Sequence, residues 1–170
     1  GCGEGVLELT EDGQATVEGA LTTRLRIVAG NLTSGSGQTY DPGHGARIFD
    51  GLDPDVVLIQ EFNAASVPSF VSSTFGAGFT WVRGAATEQI PNGVISRYPI
   101  KASGTWADSR VNGTRGFTWA LIDVPGATDL FAVSVHLSTS SSSTRQAEAA
   151  ALVTQIKAAA PTGSWVVIGG

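Results

Sequence analysis

The chain has 170 residues, 42% hydrophobic and 15% charged, which admits one sizeable core and so one domain or part of one. Its net charge of −5 argues against binding nucleic acid through a blanket basic face, but leaves open phosphate chemistry assisted by a bound divalent cation. The single cysteine excludes an intrachain disulfide and a thiolate metal cluster, and no run approaches the roughly 18 apolar residues of a membrane-spanning helix.

The chain opens Gly1-Cys2-Gly3 without an initiator methionine and turns acidic at Glu4. This start reads as a processed, exported product, secreted or periplasmic, or lipid-anchored through Cys2. A cytoplasmic location is the alternative. Residues 1–23 read as an N-terminal extension in which residues 6–18 alternate weakly about Glu11-Asp12-Gly13, a hairpin signal.

Leu25 to Ala29 form a clearer strand, ending at Gly30-Asn31, and a polar loop follows over residues 33–45. Ala46, Ile48, Phe49 and Leu52 recur at helical spacing and lead into the turn Asp53-Pro54. The run Val56-Val57-Leu58-Ile59 is too short for a globular helix and rich in β-branching, so it reads as a central strand covered on both faces. Strand, helix and strand in this order predict a βαβ unit with parallel strands.

A second helix is expected to start near Val67-Pro68 and run to about Phe75, followed by a short strand over residues 80–83. Residues 92–96 read as a strand opening at the tight turn Asn92-Gly93. Residues 116–124 and 130–137 form two strands joined across a turn containing Pro125-Gly126. The serine-rich run 138–144 reads as a loop, and residues 145–160 as a helix with Ala149, Leu152, Ile156 and Ala159 on one face, stopped by Pro161. Trp165 to Ile168 form a last buried strand. It ends with nothing after it, so the chain reads as a fragment.

Candidate chemistry gathers at strand ends, where open α/β sheets bind their ligands. Asn31 and Glu61 fall just beyond two neighbouring parallel strands, spaced about 4.8 Å apart, and can share a site. A hard cation such as Mg²⁺ takes oxygen ligands, one or two carboxylates and retained waters; Glu61 fits as a ligand and Asn31 as the amide that orients it or holds a substrate oxygen. The bland alternatives are a strand-ending turn residue at Asn31 and an exposed carboxylate at Glu61. His136, closing an apolar strand, is either a core histidine or an imidazole that donates to a phosphate. Arg97, Arg110 and Arg115 sit at strand or loop edges and are candidate phosphate clamps, or simply solubilising residues.

Several of these segments taken together resemble the endonuclease/exonuclease/phosphatase superfamily, the deoxyribonuclease I-like fold. They are residues 27–32 through Gly30-Asn31, residues 52–61 ending Gln60-Glu61, residues 92–100 around Asn92-Gly93 and Ser96-Arg97, residues 131–137 with His136, the helix opening Arg145-Gln146, and residues 165–170. Singly each is weak; in this order and spacing they cover residues from about 24 to 170. The resemblance implies a four-layer α/β/β/α sandwich and a Mg²⁺- or Mn²⁺-dependent phosphoester hydrolase. By carry-over, Glu61 and Asn31 serve the metal, His136 contacts the scissile phosphate, and Asn92, Arg97 and Arg115 are candidate substrate contacts.

In that family an Asp-x-Asn pair and a later Asp-His pair complete the site, and neither is present here. The expectation is therefore the N-terminal half of a catalytic domain, inactive by itself and partnered by the missing C-terminal half. A nuclease is the leading substrate class. The alternatives are a sphingomyelinase-like or inositol-phosphatase-like lipid hydrolase, and a non-catalytic binding or scaffold relative.

Overall fold

The computed structural model describes residues 7–9, 15–17, 24–32, 43–85, 87–108 and 114–170. Cys2, the turn at Glu11-Asp12-Gly13, the larger part of the loop after Leu32, and Arg110 lie outside the described residues.

Strands β1 (Leu7–Leu9) and β2 (Ala15–Val17) pair antiparallel, with Leu7 opposite Val17. The body consists of two four-stranded sheets. The first has the order β3-β4-β6-β5, from β3 (Ile27–Asn31), β4 (Val56–Gln60), β5 (Thr80–Arg83) and β6 (Gly93–Ser96). The second has the order β10-β9-β8-β7, from β7 (Ile100–Ala107), β8 (Gly116–Ile122), β9 (Leu130–Ser134) and β10 (Trp165–Gly169). Helices α1 (His44–Leu52) and α2 (Val67–Thr74) carry the chain between strands of the first sheet, and α3 (Ser142–Ala159) joins β9 to β10.

Alternation of side chains along the strands builds the layers. Val56 and Leu58 of β4 face Ala120 and Ile122 of β8 and Leu130 and Ala132 of β9, which forms the core between the sheets. Val57 and Ile59 point the other way and pack with Phe49 of α1 and Val67 and Val71 of α2. On the far side, Phe131 and Val133 of β9 pack with Leu152 of α3. The result is the α/β/β/α sandwich, with β4 buried along its whole length as a two-faced central strand must be.

The predicted βαβ unit is present: β3 and β4 run parallel, Asn31 opposite Gln60. Sequence patterning missed β7, whose segment Ile100–Ala107 is largely exposed and carries a register shift between Ile100 and Ala102. The serine run is also corrected. Ser141 caps α3, its hydroxyl accepting from the Thr144 backbone N–H at 3.0 Å, so residues 142–144 are the helix's first turn rather than loop. The inner face of α3 carries Glu148, Leu152 and the half-buried Ile156, whereas Ala149 and Ala159 face outward.

Candidate active site

The C-terminal ends of β3, β4 and β9 lie at the same end of the sandwich as the N-terminal ends of β6 and β8. Glu61 follows β4 there, buried to 4% exposure. It holds φ at 53°, a left-handed conformation that a residue with a Cβ adopts at a cost of about 1 kcal/mol or more. The kink is fixed from both sides. The Asn63 N–H donates to the Glu61 carbonyl at 2.7 Å, and the Phe62 N–H donates to the Pro91 carbonyl at 2.7 Å. Phe62 is then sealed against Gly93, where a Cβ would lie 2.3 Å from the ring, so this position requires glycine for close packing at the start of β6 rather than for the tight turn expected there. Together these contacts stop the strand and leave the Glu61 carboxylate at its end.

Asn31 donates from Nδ2 to Glu61 Oε1 at 2.9 Å. His136 places Nδ1 3.8 Å from the same oxygen, outside hydrogen-bond range. Burial, with the Arg115 guanidinium adding to it and Glu61 opposing, holds the imidazole below its ordinary pKa and so neutral at pH 7. Arg115 also reaches the Leu137 carbonyl with Nη2 at 3.4 Å. Asn31, Glu61, His136 and Arg115 are therefore brought together around one end of the sandwich.

The other two candidate substrate contacts are corrected. Arg97 follows β6, and β6 runs antiparallel to β4 with Ser96 opposite Val56, so Arg97 lies at the opposite end from Glu61. There it pairs with Asp53 at 2.6 Å and Asp55 at 3.1 Å. Asn92 is at the right end but 0% exposed; its amide donates to the Gly116 carbonyl and its own carbonyl accepts from Thr118 Oγ1 at 3.1 Å. It joins the two sheets and is closed to a substrate.

Two residues behind the site were not singled out in the sequence. Gln60 donates from Nε2 to Ser134 Oγ at 3.0 Å, and the Ser134 hydroxyl donates to the Ile59 carbonyl at 2.9 Å. This bridge ties β4 to β9 immediately before Glu61 and His136. The available signal was a polar residue at an inward position of an otherwise apolar strand, which must find a buried partner.

The donor set fits a hard divalent cation of the Mg²⁺ type. One buried carboxylate is steadied by an amide, and such ions accept one or two carboxylates and keep several waters. Among the described residues no group of three or more His, Cys, Asp or Glu converges, which excludes a closed cage of the structural-zinc kind there.

No family model and no curated protein matches the chain. Solved structures do. TDP2 from D. rerio, complexed with a single-strand DNA product, is 20% identical with a TM-score of 0.63, the match covering 85% of this chain and 58% of that one. ANGEL2, a 2',3'-cyclic phosphatase, is 13% identical with a TM-score of 0.66, covering 85% of this chain and 51% of that one. An endonuclease/exonuclease/phosphatase from Beutenbergia cavernae DSM 12333 is 16% identical with a TM-score of 0.60, covering 85% and 46%. At these identities the likeness is one of fold: the chain has the endonuclease/exonuclease/phosphatase, deoxyribonuclease I-like fold, N-terminal portion, and spans between 46% and 58% of the length of these structures.

Proposed function

We propose that this chain carries the metal- and phosphate-facing part of a divalent-cation-dependent phosphoester hydrolase whose substrate is a nucleic acid. The observation that carries the reading is the Asn31–Glu61–His136 cluster, a buried carboxylate and a neutral imidazole 3.8 Å apart at the ligand-binding end of this fold. Nucleic acid is preferred over lipid because a solved neighbour of the same fold is complexed with single-strand DNA product.

In this reading Glu61, with the Asn31 carboxamide beside it, holds Mg²⁺ or Mn²⁺. When bound, the cation polarises a phosphoryl oxygen and offsets the charge that develops on it. The Asn31 N–H fixes the Glu61 carboxylate in one orientation before substrate arrives, which lowers the reorganisation needed during reaction. The neutral His136 ring carries one N–H, which donates to a non-bridging phosphate oxygen. Arg115, close enough to depress the His136 pKa, adds positive charge to a surface of net negative protein. The general base and the remaining acidic groups come from a further part of the domain, so the activity belongs to the longer protein.

The test is Glu61→Gln in that protein, read by Mg²⁺ binding, thermal stability and turnover of single-stranded DNA against dispersed sphingomyelin. The substitution is isosteric and should lower Mg²⁺ affinity and reduce DNA turnover by orders of magnitude, with the melting temperature unchanged or raised. Full activity in the variant would sink the assignment of Glu61. Turnover of sphingomyelin alone would move the substrate to the lipid class.

A further inference from the structure

Gln60 is a polar side chain in the apolar layer between the two sheets. It follows Val56 and Leu58 on the inward face of β4 and is 1% exposed. Its Nε2 donates to the Leu58 carbonyl at 2.9 Å and to Ser134 Oγ at 3.0 Å, and reaches the Gly169 carbonyl at 3.5 Å. A carbonyl oxygen only accepts, so the atom facing Leu58 and Gly169 has to be the amide nitrogen. The buried Ser134 hydroxyl accepts from that nitrogen and gives its own hydrogen to the Ile59 carbonyl at 2.9 Å. The direction of each bond is therefore fixed.

Three strands meet at this one amide: β4 through Leu58, β9 through Ser134 and β10 through Gly169. β10 comes near enough because Gly169 has no side chain; a Cβ there would lie 2.7 Å from Leu58 Cδ1 and 2.9 Å from the Ala29 Cβ. The Gly169 carbonyl also accepts the Val135 N–H at 3.0 Å, which holds the residue between Ser134 and His136. On β3, Asn31 stands opposite Gln60 in the strand register. Gln60 is thus joined to Glu61 by its own peptide bond, faces Asn31 across the sheet, and is tied to β9 two residues before His136.

We propose that Gln60, acting through Ser134, is a positioning residue that sets Glu61 against His136. These two side chains are carried by different sheets, and their 3.8 Å separation depends on how the end of β4 lies along the end of β9. Apolar packing between sheets leaves that offset soft, whereas a directed amide–hydroxyl contact in a water-free interior has one favoured register. The consequence for turnover rests on the reading of Glu61 and His136 as catalytic groups; the control of the His136 ring does not.

The experiment uses Gln60→Met, Ser134→Ala and the two together. Methionine matches the length of glutamine without its hydrogen bonds, and the double variant is an apolar pair of nearly the original shape. It should therefore lose less stability than the two single variants summed, yet regain no directed contact. The chain has only two histidines, so their ring signals in ¹H–¹⁵N spectra are readily told apart. In the 170-residue chain those of His136 should move in both single variants and stay displaced in the double, while those of His44 stay fixed. In the longer protein all three should lower kcat about 10–100-fold with KM little changed.

Return of kcat and of the His136 signals toward the parent's in the double variant would make the contact a stabilising one alone and overturn the positioning role. Unmoved ring signals in both single variants would overturn it as well. Should Gln60→Met not fold, Ser134→Ala breaks the same contact from β9 and decides by the same readouts. Failure of the hydrolase reading would appear separately, as absence of turnover in the unsubstituted longer protein, with the ring signals still deciding the role of Gln60.

Discussion

At the scale of single residues, His136 links the chemistry to stability. Its pKa is held down in the folded chain by burial and by Arg115. The unfolded chain, with an ordinary value of about 6.5, therefore takes up a proton first as pH falls. The stability associated with the neutral ring is fully present above that value and is lost as pH drops toward the folded pKa. Arg115→Gln removes one of the two depressing causes, so urea midpoints measured from neutral to mildly acidic pH should fall less steeply in the variant. An unchanged slope would show that Arg115 does not act on this ring.

The two arginines also mark a limit of sequence reading at this scale. Arg97 and Arg115 both stand beside strand termini, and local sequence does not distinguish them. Only the antiparallel pairing of β6 with β4 sends Arg97 to the Asp53–Asp55 end, whereas Arg115, preceding β8, falls beside His136. The place of Glu61 at the end of an aliphatic strand was legible, but its burial was not, since an exposed carboxylate fits the same local sequence.

At the scale of elements, apolar runs marked the strands but not their burial: β10, expected to be buried, leaves Trp165, Val166 and Ile168 exposed at a sheet edge. β4 and β9 read as near-continuous apolar runs, and both occupy interior positions of their sheets. β7 lies at a sheet edge, mixes small, polar and aromatic residues, and sets Gly104 beneath Trp119, so no period-two pattern survives. The inner face of α3 was obscured for a different reason. A glutamate on a helix ordinarily marks the solvated side, and only the Ser138 N–H, donated to Glu148 Oε2 at 2.8 Å from the segment leaving β9, shows why this one turns inward.

The Gln60–Ser134 bridge belongs to this scale as well, since it joins two strands from different sheets. Ser134→Ala leaves the Gln60 amide with one of its close partners gone and removes the donor to the Ile59 carbonyl. The expected cost is about 1–3 kcal/mol in denaturant unfolding, with an unchanged denaturant slope. A loss below about 0.5 kcal/mol would mean that the sheets are aligned by apolar packing alone.

At the scale of the whole molecule, one flank of the sandwich stands out among the described residues. β3 and β10 are the outer strands of the two sheets on the same flank, and Gly169 of β10 packs against Ala29 of β3. On β10, Trp165, Val166 and Ile168 remain 49%, 47% and 46% exposed. Neighbouring large apolar side chains on an edge strand constitute a docking or aggregation surface unless something covers them.

We propose that a further part of the same domain covers this flank, in keeping with the shorter span of the chain relative to the solved structures of its fold. Substituting Val166→Thr together with Ile168→Thr separates the possibilities. In the 170-residue chain the pair should change unfolding free energy by less than about 0.5 kcal/mol and reduce self-association. In a longer protein in which the flank is covered, the same pair replaces buried methyl groups with hydroxyls and should cost about 2 kcal/mol or more. Equal and small effects in both would leave β10 as a true edge and overturn the proposal. Because β10 leads out toward the end where Glu61 and His136 lie, covering this flank would also bring new backbone to the margin of the site.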